Sequence, residues 1–187
     1  MKLIIALTIL ASTFSSCSNI FNKGVLNSAK EAKDGSENFV INKNGKKIGG
    51  SDVKINVKRN SHRIGDVEVD GNYYSISDLT NVQTDAAFYT NFGNKWFYRI
   101  YNGKIEAYLL TEEIYRAENK INTTQTRSYL RKNGGELVVY TSNNLFNLIS
   151  DNKSSLEFFN SLFKSKNDNT PWDYQFKKLL SVLESYK

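Results

Sequence analysis

KWFYRIYNGKIEAYLL, residues 95–110, reads as two β-strands joined at Asn102-Gly103. Asn-Gly adopts the positive φ angles of a tight hairpin turn with little strain, so the dipeptide between alternating runs predicts a two-residue connection. That connection sets Tyr101 beside Lys104, Ile100 beside Ile105, Tyr98 beside Ala107 and Trp96 beside Leu109. The last three pairs make one apolar side suited to a core. On the other side Arg99 stands opposite Glu106 and Phe97 opposite Tyr108, with Tyr101 on the same side. Cross-strand pairs of this kind stabilise a sheet and fix its register.

The same punctuation recurs at Asn44-Gly45, Asp70-Gly71 and Asn133-Gly134, each beside alternating or aromatic-rich runs. VKINVK (53–58) and DVEVD (66–70) predict a second antiparallel pair: Lys58 faces Asp66, Asn56 faces Glu68 and Lys54 faces Asp70, with Val57 beside Val67 and Ile55 beside Val69. SYLRKNGGELVVY (128–140) predicts a third, with Lys132 near Glu136 and Leu130 near Val138. Residues 112–127 fit either a helical turn followed by a strand or a long polar excursion between two strands.

After Thr141 the apolar period changes from 2 to about 3.6. A short helix starts at Ser142-Asn143. A second, SSLEFFNSLFKS (154–165), is capped by Ser154, and a third has Thr170 as N-cap and Pro171 in its first turn. Trp172, Phe176, Leu179, Leu180 and Leu183 form an apolar stripe along the third. The pattern predicts an α+β fold, an antiparallel β-meander of about six to eight strands with two or three C-terminal helices packed on it. One domain is expected over residues 38–187, strands over 38–141 and helices over 142–187.

The N-terminal end reads differently. Lys2 precedes the apolar run Leu3–Ala11, and small residues lead to Cys17, the only cysteine. This is the layout of a secretory signal, and the run is short of the roughly 20 apolar residues that a spanning helix needs. Phe14-Ser15-Ser16-Cys17 resembles a bacterial lipobox, which implies a leader over 1–16 and a diacylglyceryl group on Cys17. Leucine is usual where Phe14 stands. Two or more acyl chains anchor a protein stably to a bilayer. Residues 17–37 are polar, broken by Asp34-Gly35, and predict a flexible tether.

The chain carries a formal charge of +6, yet no five like charges cluster, so the basic balance reads as dispersed lysine and no nucleic-acid partner is expected. The stretches NKWFYRIYNGKIEAYLL and SYLRKNGGELVVYTSNNLFNLISDN, with the closing LESYK, resemble small uncharacterised lipoproteins and exported proteins of Bacteroidetes. The resemblance implies this fold and a bacterial envelope setting, and it carries over no functional residue. In such bacteria an acidic tract after the lipidated cysteine accompanies surface display. Ser18–Lys23 contains no acid, which favours an outer membrane position facing the periplasm.

No nucleophile, metal or nucleotide motif is present, so no enzymatic activity, metal or cofactor is expected. His62, the lone histidine, reads as an exposed loop residue. Asp66, Glu68 and Asp70 share one strand side, and the cross-strand lysines account for them better than a hydrolase would. The adjacent Glu112 and Glu113 diverge on either a strand or a helix. The aromatics are more suggestive: Phe97, Arg99, Tyr101 and Tyr108 are candidate ligand-binding residues for a glycan, peptidoglycan or lipid, if the second side of the 95–110 hairpin is open. The leading expectation is a non-enzymatic, membrane-anchored envelope protein that engages a protein partner, and an aromatic binding module is the alternative.

Overall fold

A computed structural model describes residues 32–57, 64–116, 121–163 and 172–186. Among them the alternation yields β1 (Asn38–Asn42), β2 (Lys47–Gly50), β3 (Val53–Val57), β4 (Ile64–Val69), β5 (Asn72–Tyr74), β6 (Leu79–Gln83), β7 (Phe88–Phe92), β8 (Lys95–Tyr101), β9 (Ile105–Arg116), β10 (Ile121–Lys132) and β11 (Leu137–Val139). Three helices close the chain: α1 (Ser142–Leu148), α2 (Lys153–Leu162) and α3 (Trp172–Ser185). The architecture is α+β, as the change of period predicts.

Six strands, β6 to β11, form a consecutive antiparallel meander, and the β1–β2 hairpin extends it beyond β6 to give the order β11-β10-β9-β8-β7-β6-β1-β2. The strands between β2 and β6 form a separate sheet, β3-β4-β5. Residues 112–127, open between a helix and an excursion, lie largely in the two twelve-residue strands β9 and β10, which pair from Ile121 with Arg116 down to Lys132 with Ile105.

The second predicted register is corrected by two residues. Val53 faces Val69, Lys54 faces Glu68 and Ile55 faces Val67. Asp70 is not a strand partner of Lys54. It turns at φ 48° ahead of Gly71, and its carboxylate accepts from the Ser51 amide at 3.3 Å, the Ser51 hydroxyl at 2.9 Å and the Asp52 amide at 2.9 Å. These bonds, the Asp52 amide first among their effects, hold the Asp70 carboxyl below its ordinary pKa. Lys54 instead pairs with Asp52. A slip of two leaves every side chain on its original side of the sheet, so the valines are still buried.

The large sheet buries one face twice over. Against β8–β10, the helices bring Leu145, Ile149, Phe159, Phe163, Phe176, Leu179 and Leu183 onto Ile100, Ile105, Ala107, Leu109 and Leu130. Against β1 and β6, the small sheet brings Val53, Val67 and Val69 onto Val40, Leu79 and Val82. Tyr89 and Tyr98, paired across β7 and β8 with ring centroids 5.5 Å apart, join the two halves. Burial, with the neighbouring Tyr89, pushes the Tyr98 hydroxyl up to about 12. Gly50 allows the two sheets to approach, since a Cβ there would meet Val69 Cγ1 at 2.5 Å.

Helix ends follow the sequence with one correction. Thr141 caps α1 by accepting from the Asn144 amide at 3.0 Å. Asn152, not Ser154, caps α2: its side-chain oxygen accepts from the Ser155 amide at 3.1 Å and from the Ser154 hydroxyl at 2.8 Å. Thr170 and Pro171 lie outside the described residues. No described helix is long and apolar enough to cross a membrane.

Candidate functional site

The hairpin that decides the fold does not turn at Asn102-Gly103 in two residues. Tyr98 faces Leu109 and Arg99 faces Tyr108, but Tyr101 faces Ala107, and the register breaks between Arg99 and Tyr101. A bulge at Ile100 sends two successive side chains, Ile100 and Tyr101, to the helix-covered face. Ile100 is fully buried there, and the Tyr101 hydroxyl donates to the Leu183 carbonyl of α3 at 3.1 Å. Gly103 is needed for space and not for its φ: a Cβ on it would lie 2.7 Å from the Tyr101 ring.

Of the four candidate binding residues, Tyr101 is thus on the wrong face, and the other three are buried. Phe97 keeps 4 % of its surface, Arg99 4 % and Tyr108 1 %. Phe97 packs edge-on against Phe92 and Tyr129, at 5.4 and 5.1 Å between centroids, and Phe92 does the same against Tyr108 at 5.3 Å. Burial and the nearby Glu106 charge push the Tyr108 hydroxyl far up, so it stays protonated. Rings held edge to edge and covered do not form the open aromatic groove that a glycan needs.

Arg99 is the chemically informative residue on this face. Its guanidinium lies over the Phe88 ring at 3.7 Å. Nε donates to the Ala32 carbonyl at 2.6 Å, Nη2 to Asp34 Oδ1 at 2.8 Å, and Nη1 to Glu106 Oε1 at 3.4 Å. Glu106 also meets Arg131, 3.8 Å away, so one carboxylate lies between two guanidiniums. A buried cation is costly unless paired and hydrogen-bonded, and Arg99 is both.

Gln83, on β6 and fully buried, was not singled out by the sequence pattern. Its amide nitrogen donates to the carbonyls of Glu37 at 2.6 Å, Asp34 at 3.2 Å and Gly35 at 3.5 Å, and its oxygen accepts from the Asp34 amide at 2.7 Å. Asn102 adds bonds to Asp34 Oδ1 at 3.0 Å and to the Lys33 carbonyl at 3.4 Å. Residues 32–37, expected to belong to the flexible tether, are therefore docked on the sheet. The polar composition of AKDGSE signals flexibility only where no buried donor waits for its carbonyls, and here Arg99 and Gln83 wait for them. The one sequence signal was Arg99 itself, a charge amid aromatics on an interior strand.

A second polar cluster lies on the helix side. Lys132 donates to both Asp151 oxygens at 2.8 Å and to the Leu148 carbonyl at the end of α1 at 2.6 Å. The Tyr186 hydroxyl donates to Asp151 at 2.8 and 2.9 Å. Bonds from Lys132, then Tyr186, hold the Asp151 carboxyl below its ordinary pKa. Burial pulls the Lys132 ammonium down, but Asp151 and Tyr186 outweigh it and its pKa rises.

The acidic row predicted on one strand is broken up, with Asp66 exposed on β4, Glu68 opposite Lys54 and Asp70 in the turn. Glu112 pairs with Lys95 at 2.7 Å. Cys17 and His62 lie outside the described residues, as does the side chain of Glu113. Among the described residues no three His, Cys, Asp or Glu side chains group as a metal site would require. No family model matches the chain, and no curated protein or solved structure is similar to it.

Proposed function

We propose that the chain is a lipid-anchored protein of a bacterial envelope, held by acyl chains on Cys17 at the outer membrane on its periplasmic side, and that it acts without catalysis by engaging another envelope protein or supporting a complex. The observation that carries the anchor is the succession Lys2, Leu3–Ala11 and Phe14-Ser15-Ser16-Cys17, a short apolar run ending in small residues at the single cysteine. The resemblance to exported Bacteroidetes proteins supports the same setting.

Metabolic labelling with a clickable fatty acid tests the anchor. The wild-type chain is expected in the membrane fraction with label, and Cys17→Ala without it. Unlabelled full-length chain in the cytosol overturns the anchor. Crosslinking in intact envelopes tests the partner: one reproducible adduct supports the role, and none in repeated trials removes it.

A further inference from the structure

Residues 32–37 are held in the way that peptide-binding domains hold a ligand. Five of their main-chain carbonyls and one amide are read by side chains of the domain: Ala32 by Arg99, Lys33 by Asn102, and Asp34, Gly35 and Glu37 by Gln83, which also takes the Asp34 amide. The Asp34 carboxylate is met by Arg99 at 2.8 Å and Asn102 at 3.0 Å, and at the exposed edge of the strap Glu37 pairs with Lys47 at 2.9 Å and Lys33 donates to the Asp85 carbonyl at 3.2 Å. A single small side chain, Ala32, is fully buried. Main-chain bonds give affinity and one or two side-chain determinants give specificity, the division of labour seen in peptide recognition, here on a segment that bends at Gly35. AKDGSE contributes no large apolar side chain to the sheet, whereas two of the groups that receive it, Arg99 and Gln83, are buried and polar. A segment serving only as packing is held more cheaply by apolar contact than by a buried guanidinium and a buried amide.

We propose that the groove lined by Gln83, Phe88, Arg99 and Asn102 is a recognition site for a bent peptide bearing a carboxylate followed by a glycine, occupied in the free protein by the chain's own residues 32–37, which turn at Gly35 with φ 73°. Release of this strap uncovers a guanidinium backed by an aromatic ring, beside an amide presenting both a donor and an acceptor. A partner segment with a small residue two positions before an Asp fits the same positions. Occupation in cis makes binding competitive, so the partner engages only by displacing the strap. The site does not depend on Cys17, and the unacylated full-length chain tests it.

Hydrogen exchange followed by NMR gives the first readout. The Asp34 amide is expected to exchange at least about 100-fold faster than the amides of Val40 and Val82, because the strap opens while the sheet stays closed. Equal rates overturn the proposal, since the strap then leaves only when the whole domain unfolds. The second readout uses full-length Asp34→Ala, in which the strap loses its charged bond and the groove is intact. Acetyl-AKDGSE-amide is expected to shift the Gln83 side-chain resonances saturably, and acetyl-AKNGSE-amide to bind about three-fold more weakly because it loses the charge-assisted, partly screened carboxylate bond to Arg99. Absence of a saturable shift, or equal binding of the two peptides, overturns it.

Discussion

On one face of the eight-stranded sheet, Leu, Ile and Phe side chains from three helices meet Ile100, Ile105, Leu109 and Leu130. On the other, beside the aromatic cluster of Phe92, Phe97, Tyr108 and Tyr129, a short polar strap is fixed by Arg99 and Gln83. Apolar burial is non-directional and grows with area, so the helix side is strong and tolerant of small shifts. Hydrogen bonds are directional and individually modest in net effect, about 0.5–1.5 kcal/mol each, so the strap is placed accurately and held weakly. The difference separates what keeps the domain folded from what the domain can release.

The largest effect is expected on the helix side. Phe176 is 2 % exposed and stands against Leu179 and Leu183 in the same cluster. Phe176→Ala is expected to cost about 3–5 kcal/mol in denaturant unfolding, the range for deleting a buried ring and leaving a cavity. A loss below about 1 kcal/mol breaks the comparison, because it makes the helix layer no stronger than the strap.

Arg99→Met comes next. It keeps the apolar stem and removes the bonds to Ala32, Asp34 and Glu106. Glu106 retains Arg131 and Asp34 is partly solvated, so the expected loss is about 1–3 kcal/mol, that of leaving buried acceptors unsatisfied. Trypsin cleavage after Lys33 is expected to accelerate more than global unfolding does. Asp34→Ala is smaller still. Its carboxylate is 47 % exposed and water screens its pairing with Arg99, which limits the loss to about 0.2–1 kcal/mol, but the same cleavage should quicken. Faster cleavage with little change in global stability sharpens the comparison, and parallel changes in both break it.

The helix side was the more legible in sequence for the same reason that it is strong. A stripe such as Phe176, Leu179, Leu180, Leu183 declares its buried face by spacing alone, and a two-residue slip in the β3–β4 pairing leaves such a face unchanged. The strap was not legible because its determinants are far apart in the chain: Gln83 reaches residues 46 to 49 positions away, and Arg99 reaches 65 to 67. Periodicity reports which side chains share a surface and says nothing about which distant carbonyl they meet. The bulge at Ile100 was hidden by a strong turn signal. Asn102-Gly103 predicts a tight turn locally, but burying Tyr101 against α3 wins, since its ring gains apolar contact and its hydroxyl a partner at Leu183.

The smallest effect tests the Lys132, Asp151 and Tyr186 cluster on the helix side. Asp151, with its folded pKa lowered below 3.8, binds its proton less readily than in the unfolded chain. Its contribution is therefore present above that value and is lost as pH falls through the folded pKa. Lys132 has the opposite sign: its pKa is raised above 10.5, so its contribution is complete below that value and is lost as pH rises through the folded one. Between these limits the cluster is expected to add a pH-independent stability, with a decline at each end. Asp151→Asn keeps the shape and should flatten both declines, the acid one because the carboxyl is gone and the alkaline one because Lys132 loses its counter-charge. Urea midpoints from pH 2 to 11 measure this. An unchanged alkaline decline in Asp151→Asn would show that Lys132 is held by the Leu148 carbonyl at the end of α1, making this cluster a helix-end contact and leaving the charged latch to the strap side alone.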